Sequence, residues 1–154
     1  GLRLVYVGVE SASDFVLNDM KRFTVEHDKQ YKVIKECEDE GIKVKTMFII
    51  GNPEDTRDTI IKSIEYSKYL PNLYTQFSVF TPYPGTPVYA DFENIITEKK
   101  FEKFNQYNLT FSHKNLSKKD ILDLKNLAYF KYYFNPKKIY EILKYFIQSK
   151  YLKI

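Results

Sequence analysis

The chain has 154 residues, 44% of them hydrophobic and 29% charged, a balance typical of a soluble globular protein with one sizeable core. No apolar run reaches the roughly 18 residues that a membrane span needs, so we expect no membrane association and a cytoplasmic location. The single cysteine, Cys37, excludes a disulfide framework and a cysteine-based metal site made by this chain alone.

The net charge of +4 is unevenly distributed. Residues 114–154 carry ten lysines against three acidic residues, a net +7, which leaves −3 for the rest of the chain. A basic segment can bind nucleic acid or another anionic surface. These lysines are spread out among apolar residues, however, which favours the solvated face of amphipathic helices, so we do not expect nucleic-acid binding.

The first half of the chain alternates between strand and helix patterns. An apolar run over residues 2–9 predicts a buried strand, and Ser13 is suited to cap a short helix after it. Thr24 is predicted to cap a longer helix that ends at Gly41, and residues 42–50 form the second predicted strand. The apolar face of the longer helix is predicted to contain Val33, Ile34 and Cys37.

The second half begins with another helix, starting at Asp55 or Thr56, and a third strand over residues 74–81, followed by a stiff loop with the sequence PYPGTP. Ser117 is predicted to cap a helix that reaches about Tyr133, and Pro136 to open a last helix. Strands separated by helices at this spacing predict a parallel α/β sheet with crossover helices, followed by C-terminal helices.

Polar residues collect where the predicted strands end, which is the edge at which parallel sheets bind ligands. The carboxylate of Glu10, next to Ser11, suits the two hydroxyls of a ribose, or else caps or pairs with a neighbouring loop. Gly51 and the main chain of Ile49 can approach a flat heterocycle, although these residues alone are better explained as a turn. Arg22 can hold a carboxylate, although alone it is better explained as a surface arginine.

Other chemically distinctive residues favour structural roles. His27 and His113 have no partner that the sequence reveals, and Cys37 suits a small core position. The aromatic cluster at 129–134 can stack nucleic-acid bases, but its helical spacing is more typical of packing.

Five segments, taken together, resemble the radical S-adenosylmethionine (radical SAM) superfamily. Their order and spacing are more specific than any one of them, and they match the second half of that family's TIM-type β/α barrel. The segments are GVESAS, KRFTVE, ECEDEGI, FIIGNPEDT and FSVFTPYPGTPVY. The resemblance implies a half-barrel over residues 1–93 and a mostly helical extension over 94–154.

The tail HKNLSKKDILDLKNLAYFKYYFNPKKI resembles the region after the barrel in the cobalamin-binding subgroup, which includes tetrapyrrole-type oxidative cyclases and radical methyltransferases. The family pattern also implies roles for individual residues. Glu10 would bind the ribose of S-adenosylmethionine with support from Ser11, and Arg22 would bind the methionine carboxylate. Ile49, Gly51 and Glu54 match the latter part of the family's G-x-I-x-G-x-x-E pattern, in which Met47 stands at the first glycine. There Ile49 would contact the adenine and Glu54 would hold the turn.

The family's 4Fe–4S cluster needs a C-x3-C-x2-C loop, and the chain has one cysteine. A cobalamin domain is also missing. We therefore expect this chain to be the C-terminal part of an enzyme whose cluster cleaves S-adenosylmethionine to a 5′-deoxyadenosyl radical. Its partner would be the N-terminal half of the barrel, and the isolated chain would have no activity. The alternatives are a non-catalytic half-barrel that acts as an interaction module and a doubly wound nucleotide-binding domain, which the lack of a G-x-G-x-x-G or P-loop motif disfavours.

Overall fold

A computed structural model of the chain describes residues 1–22 and 26–151, with side chains as far as Gln148. Within these residues it has three strands, six α-helices and two single 3-10 turns, Glu93–Ile95 and Phe101–Lys103. In chain order the strands and α-helices are β1 (Leu4–Glu10), α1 (Asp14–Asp19), α2 (His27–Asp39), β2 (Lys43–Ile50), α3 (Arg57–Tyr69), β3 (Tyr74–Val79), α4 (Pro87–Phe92), α5 (Lys118–Tyr133) and α6 (Pro136–Tyr151).

The three strands form one parallel sheet in the order β1-β2-β3. The predicted α/β arrangement, with helices between the strands and further helices at the C-terminal end, is therefore confirmed. At the carboxyl edge Glu10 lies opposite Phe48, and Ile50 lies opposite Val79. The three strand ends thus reach the same edge of the sheet, as the sequence predicted.

The two faces of the sheet differ in burial. In β2 the side chains of Val44, Phe48 and Ile50 are buried, whereas the alternating Lys45 and Met47 are half-exposed. This period of two is what a sheet with helices on one face produces. The helices cover the face that carries Phe48, and the opposite face is open over much of its area.

The prediction of a buried first strand is wrong for most of β1. Leu4 and Tyr6 are 42% and 60% exposed, Val5 and Val7 are half-buried, and Val9 alone among these five is buried. The reason is position, because β1 is an edge strand of a sheet with one open face. Aliphatic composition predicts a strand here but cannot tell whether both of its faces are covered.

One continuous core joins the sheet to α2, α3 and α5. It draws residues from both of the predicted ranges, 1–93 and 94–154, so α5 packs as part of the sheet domain; a division into two domains stays a prediction. Among the fully buried side chains are Phe48, Phe77, Ile34, Ile64, Leu124 and Tyr132.

Helix α2 differs in detail from its prediction. Ile34 is buried and Cys37 half-buried, as expected, but Val33 is 52% exposed, so its predicted place on the apolar face is wrong. The predicted cap, Thr24, lies outside the described residues, and the residue at the N-cap position is Glu26.

Helices α3 and α5 begin where their capping residues predict. The hydroxyl of Thr56 accepts from the N–H of Thr59, and that of Ser117 accepts from the N–H of Asp120. In both cases the third residue returns a hydrogen bond to the cap, completing a capping box. Pro136 is the first residue of α6, as predicted.

The third predicted strand is two residues too long, because β3 ends at Val79 rather than residue 81. The loop predicted after it is confirmed over residues 82–86. Its last residue, Pro87, begins the short helix α4, which Thr86 caps and which the sequence did not predict. No helix in the described part of the chain is long and apolar enough to cross a membrane.

The start of α6 is tied to the turn before β3. The ammonium of Lys138, 2% exposed, donates to the carbonyls of Leu70 and Asn72 at 3.2 and 2.6 Å and lies 3.2 Å from the Glu141 carboxylate. Burial lowers the pKa of Lys138, and Glu141 acts in the opposite direction. The hydroxyl of Tyr132 donates to the same Asn72 carbonyl at 2.8 Å.

The outer edge of β3 is closed by α5. The hydroxyl of Tyr133 accepts from the N–H of Thr75 and donates to its carbonyl, at 3.2 and 2.8 Å. Tyr129 does the same for Phe77, at 3.1 Å in both directions. The N–H of Val79 donates to a loop carbonyl, that of Gln106. The edge groups that another strand would need are therefore already bonded.

We expect Tyr133→Phe to lower the free energy of unfolding by about 1–3 kcal/mol, because it leaves both main-chain groups of Thr75 without their partner. The measurement is urea denaturation, with Tyr140→Phe as the matched control because Tyr140 is 66% exposed. Equal stability of the two variants would contradict the role assigned to the Tyr133 hydroxyl.

Candidate functional site at the carboxyl edge of the sheet

The end of β1 carries an ion pair between two predicted site residues. A guanidinium nitrogen of Arg22 lies 2.6 Å from Glu10 Oε1, and the Glu10 side chain is 13% exposed against 55% for Arg22. The chain reaches this position because α1 reverses its direction and Lys21 adopts a left-handed backbone conformation, with φ 54°. Glu10 thus pairs with a neighbouring loop, which is the alternative role predicted for it, and Arg22 is an exposed arginine with a partner at the strand end.

Glu10 itself has a left-handed backbone, with φ 64°, which is uncommon for a residue with a side chain. The conformation turns its carboxylate back over β1, where Gly8 leaves room for it. A Cβ on Gly8 would lie 2.5 Å from Glu10 Oε1 and 3.4 Å from the Arg22 guanidinium. Sequence reasoning did not identify Gly8, although a glycine inside a strand is a signal of close approach.

A cavity of about 270 Å³ lies beside this ion pair. It combines a carboxylate that can accept hydrogen bonds from hydroxyls with a guanidinium that can hold an anion. Such a site suits a small polar ligand that has both hydroxyl and carboxylate groups. The cavity is lined by Gly8, Glu10, Leu17, Lys21, Arg22 and Gln30, among others.

Ser11 faces the protein interior and not this cavity. Its hydroxyl lies 3.3 Å from that of Ser63 on α3 and accepts from the N–H of Ser13, so it holds the turn that follows Glu10. Ser13 precedes α1 as predicted, but its side chain makes no capping hydrogen bond.

The end of β2 is a turn built around Gly51, which has φ 78°. The side chain of Ile121 on α5 lies 3.1 Å from where a Cβ on Gly51 would be, so both conformation and packing require glycine. Ile49 is half-buried on the open face of the sheet, and its carbonyl accepts from the side-chain amide of Asn52 at 2.9 Å. Its adenine contact stays a prediction.

Asp55, and not Glu54, provides the hydrogen bonds that hold this turn. One oxygen of the buried Asp55 carboxylate accepts from the N–H groups of Gly51 and Asn52 and from the Asn52 side chain, at 2.9–3.1 Å. The other accepts from the Thr59 hydroxyl at 2.6 Å. Glu54 instead forms an ion pair with Lys114. The sequence offered one sign of this, an aspartate directly before the cap of α3.

Among the described residues no group of three or more histidine, cysteine, aspartate or glutamate side chains is arranged to hold a metal ion. The cysteine is on α2 and half-buried. The donors needed by a three-cysteine iron–sulfur cluster are therefore not supplied by this chain.

Comparison with known proteins finds relatives of this chain. No protein-family model matches it. It is 30% identical over 139 residues to an uncharacterised methyltransferase of Pyrococcus horikoshii, a match that spans 89% of this chain and 30% of that protein. It is 28% identical over 112 residues to the bacteriochlorophyllide d C-8(2)-methyltransferase of Chlorobaculum tepidum, which spans 71% and 25%. The anaerobic magnesium-protoporphyrin IX monomethyl ester cyclase of Rubrivivax gelatinosus is 23% identical over 136 residues, spanning 88% and 24%.

These relatives are radical SAM proteins. The chain belongs to the radical SAM family. It spans less than a third of the length of each of the three relatives. The ligand-binding roles of Glu10, Arg22 and Gly51 stay predictions.

We expect Gly8→Ala to separate Glu10 from Arg22 while changing the free energy of unfolding by less than about 1 kcal/mol. The new Cβ would meet the far end of a flexible carboxylate side chain, which can move away. An ion pair whose arginine is 55% exposed contributes little stability. Side-chain NMR of the Arg22 guanidinium would detect the loss of its partner. Retention of the Glu10–Arg22 contact in Gly8→Ala would contradict this account of Gly8.

Asp55 gives a pH-dependent prediction. Burial raises the pKa of its carboxyl, while hydrogen bonds from Thr59, Asn52 and Gly51 act in the opposite direction. With a folded pKa above the unfolded value, the stabilisation is present below the unfolded pKa and is lost as pH rises through the folded pKa. The difference in unfolding free energy between the parent and Asp55→Asn, measured by urea denaturation, should therefore fall as pH rises above 3.8, the ordinary pKa value for an aspartate. A difference that grows with pH would show that the four hydrogen bonds outweigh burial.

Proposed function

We propose that this chain forms the S-adenosylmethionine-binding carboxyl edge of a radical SAM enzyme. The observation that carries the proposal is the Glu10–Arg22 pair beside a polar cavity, on a chain that belongs to this family. The proposal assigns the chain a share of a site and not a complete reaction. The complete enzyme would be the methyltransferase or cyclase, and the isolated chain would be inactive.

The groups of S-adenosylmethionine match the described side chains in chemistry. The ribose diol offers two donors to the Glu10 carboxylate, and the methionine carboxylate offers two acceptors to the Arg22 guanidinium. The adenine would lie against Ile49 and the main chain of the Gly51 turn. Glu54, paired with Lys114, would contribute at the margin of the turn.

For this ligand to bind, Arg22 must exchange the Glu10 carboxylate for the ligand carboxylate. The exchange keeps Arg22 paired with an anion and frees Glu10 for the ribose hydroxyls. The partly exposed position of the Arg22 side chain, at 55%, gives it room to move. These are the steps that the residues of this chain would perform.

The 4Fe–4S cluster would supply the electron that breaks a carbon–sulfur bond of S-adenosylmethionine and yields the 5′-deoxyadenosyl radical. Its ligands, and the N-terminal half of the barrel that would pair with β1, would come from outside this chain. The open face of the sheet and the exposure of Leu4 and Tyr6 are consistent with such a partner.

The subgroup of the radical SAM family is also a proposal. Two of the three relatives are named as methyltransferases and one as a cyclase, and the tail after the sheet resembles the cobalamin-binding subgroup. We propose membership of that subgroup, with cobalamin held by a domain outside this chain and a cytoplasmic location.

The alternative function is a non-catalytic half-barrel that acts as an interaction module. The open sheet face and the single cysteine favour it. The two functions differ in one measurable property, because a module has no need to bind S-adenosylmethionine.

The test is isothermal titration of S-adenosylmethionine into the intact protein that carries this chain, reconstituted anaerobically with iron and sulfide. We expect Arg22→Ala to weaken binding by about 10- to 100-fold, since a hydrogen bond to a charged group contributes about 1.5–3 kcal/mol. Glu10→Gln should weaken it less, because an amide oxygen can still accept from one hydroxyl. Lys119→Ala, which removes an exposed ammonium that does not line the cavity, is the matched control.

Binding by the parent that is unchanged in Arg22→Ala would contradict the role of Arg22. A parent that binds no S-adenosylmethionine would favour the interaction module.

A further inference from the structure

Three consecutive residues before α5 contact the turn at the end of β2. We call residues 113–115 the strap and residues 51–55 the β2-end loop. The strap comes from the segment that leads into the C-terminal helices, about 60 positions further along the chain than the loop. In chain order the contacts join His113 Nε2 to the Asn52 carbonyl at 2.8 Å, Lys114 to the Glu54 carboxylate, and the Asn115 side-chain amide to the Asp55 carbonyl at 3.0 Å.

The hydrogen bonds of His113 define its protonation. Nδ1 accepts from the backbone N–H groups of Asn115 and Leu116, at 3.1 and 3.2 Å, so it carries no proton. The proton is therefore on Nε2, which donates it to the Asn52 carbonyl. One neutral ring thus bridges the backbone in front of α5 and the backbone of the β2-end loop.

The hydrogen bond from His113 adds to those that Asn52 makes within the loop. Asn52 is fully buried, and its side-chain Oδ1 has no hydrogen-bond partner in the described structure. Its N–H and its side-chain amide donate to the Asp55 carboxylate within the loop, and the amide also donates to the Ile49 carbonyl at the end of β2. Its carbonyl accepts from the Asp55 N–H within the loop at 2.8 Å and from His113 Nε2, outside the loop, at 2.8 Å.

Two features of α5 act on the same loop. Ile121 packs directly over Gly51, and the strap ends just before Ser117, which caps the helix. A displacement of α5 would therefore move both the packing over Gly51 and the hydrogen bond to Asn52. The C-terminal extension and the end of β2 would thus move together.

We propose that His113 is a positioning residue for the adenosyl-binding end of β2, through its Nε2–H donation to the Asn52 carbonyl. The inference rests on the proposed function, because it concerns the same site. His113 does not touch the ligand. It fixes the backbone of the Gly51–Asn52 turn, so the C-terminal extension sets how tightly the adenosyl group is held.

Two substitutions separate the roles of the two ring nitrogens of His113. His113→Gln retains a donor at the distance of Nε2 but loses the Nδ1 acceptor. His113→Asn retains an acceptor at the position of Nδ1 but cannot reach the Asn52 carbonyl. If positioning acts through Nε2–H, His113→Asn should weaken binding of S-adenosylhomocysteine to the intact protein by about tenfold, and His113→Gln should bind within about threefold of the parent.

A second readout follows the loop without any ligand. Hydrogen exchange measured by mass spectrometry on a peptide covering residues 47–58 should be faster in His113→Asn than in the parent and close to the parent in His113→Gln. Lys119→Ala is the control in both measurements, because its side chain is 84% exposed and pairs on the outer surface of α5. If either histidine variant fails to fold, the 15N chemical shifts of the His113 ring in the parent still test the protonation assigned to it.

Weaker binding together with faster exchange in His113→Asn supports the proposal. Faster exchange with unchanged binding overturns it, as does a parent ring protonated on Nδ1. If the parent itself binds no S-adenosylhomocysteine, the proposed function is overturned and this inference falls with it. If the parent binds and all variants bind equally, only this inference is overturned.

Discussion

The packing of α5 along the edge of β3 is the constraint on which the rest of the domain depends. Tyr129 and Tyr133, one helical turn apart, each bond both main-chain groups of a strand residue, so the helix is fixed in position and in rotation. Burial raises the pKa of the Tyr133 hydroxyl, which keeps its donated proton in place. With the helix fixed in this way, Ile121 lies over Gly51 and the strap lies against the β2-end loop.

The same packing makes the two edges of the sheet unequal. A strand added beside β3 would have to displace two tyrosine hydroxyls and the carbonyl of Gln106. In the described structure no comparable side chains bond the outer edge of β1, and Leu4 and Tyr6 on its open face are exposed. Further strands can therefore be added at β1 and not at β3, which gives the proposed N-terminal half of the barrel a single side on which to pair.

Local sequence signals predicted much of this fold. Thr56 and Ser117 predicted the starts of α3 and α5 because a cap and the third residue after it interact within one turn. The open face of β1 could not be predicted, because its burial depends on whether a neighbouring layer covers it. The partner of His113 could not be predicted either, because Asn52 lies 61 positions away. Asp55 was missed for a different reason, since adjacent carboxylates look alike in sequence and one turn of backbone decides which faces inward.

In the proposed function, the pairing of Glu10 with Arg22 links this architecture to ligand binding. A left-handed backbone at a residue with a side chain costs on the order of 1–3 kcal/mol, and Glu10 pays that cost in order to direct its carboxylate over Gly8. In the absence of ligand the two charges neutralise each other, so neither is left unpaired in a partly buried site. In the proposed function, a ligand that carries both a carboxylate and hydroxyls would give each residue a new hydrogen-bonding partner, whereas a ligand with only one of them would leave Arg22 or Glu10 without one. The pair would thus favour a ligand with both groups, which is the chemistry of an amino-acid nucleoside such as S-adenosylmethionine.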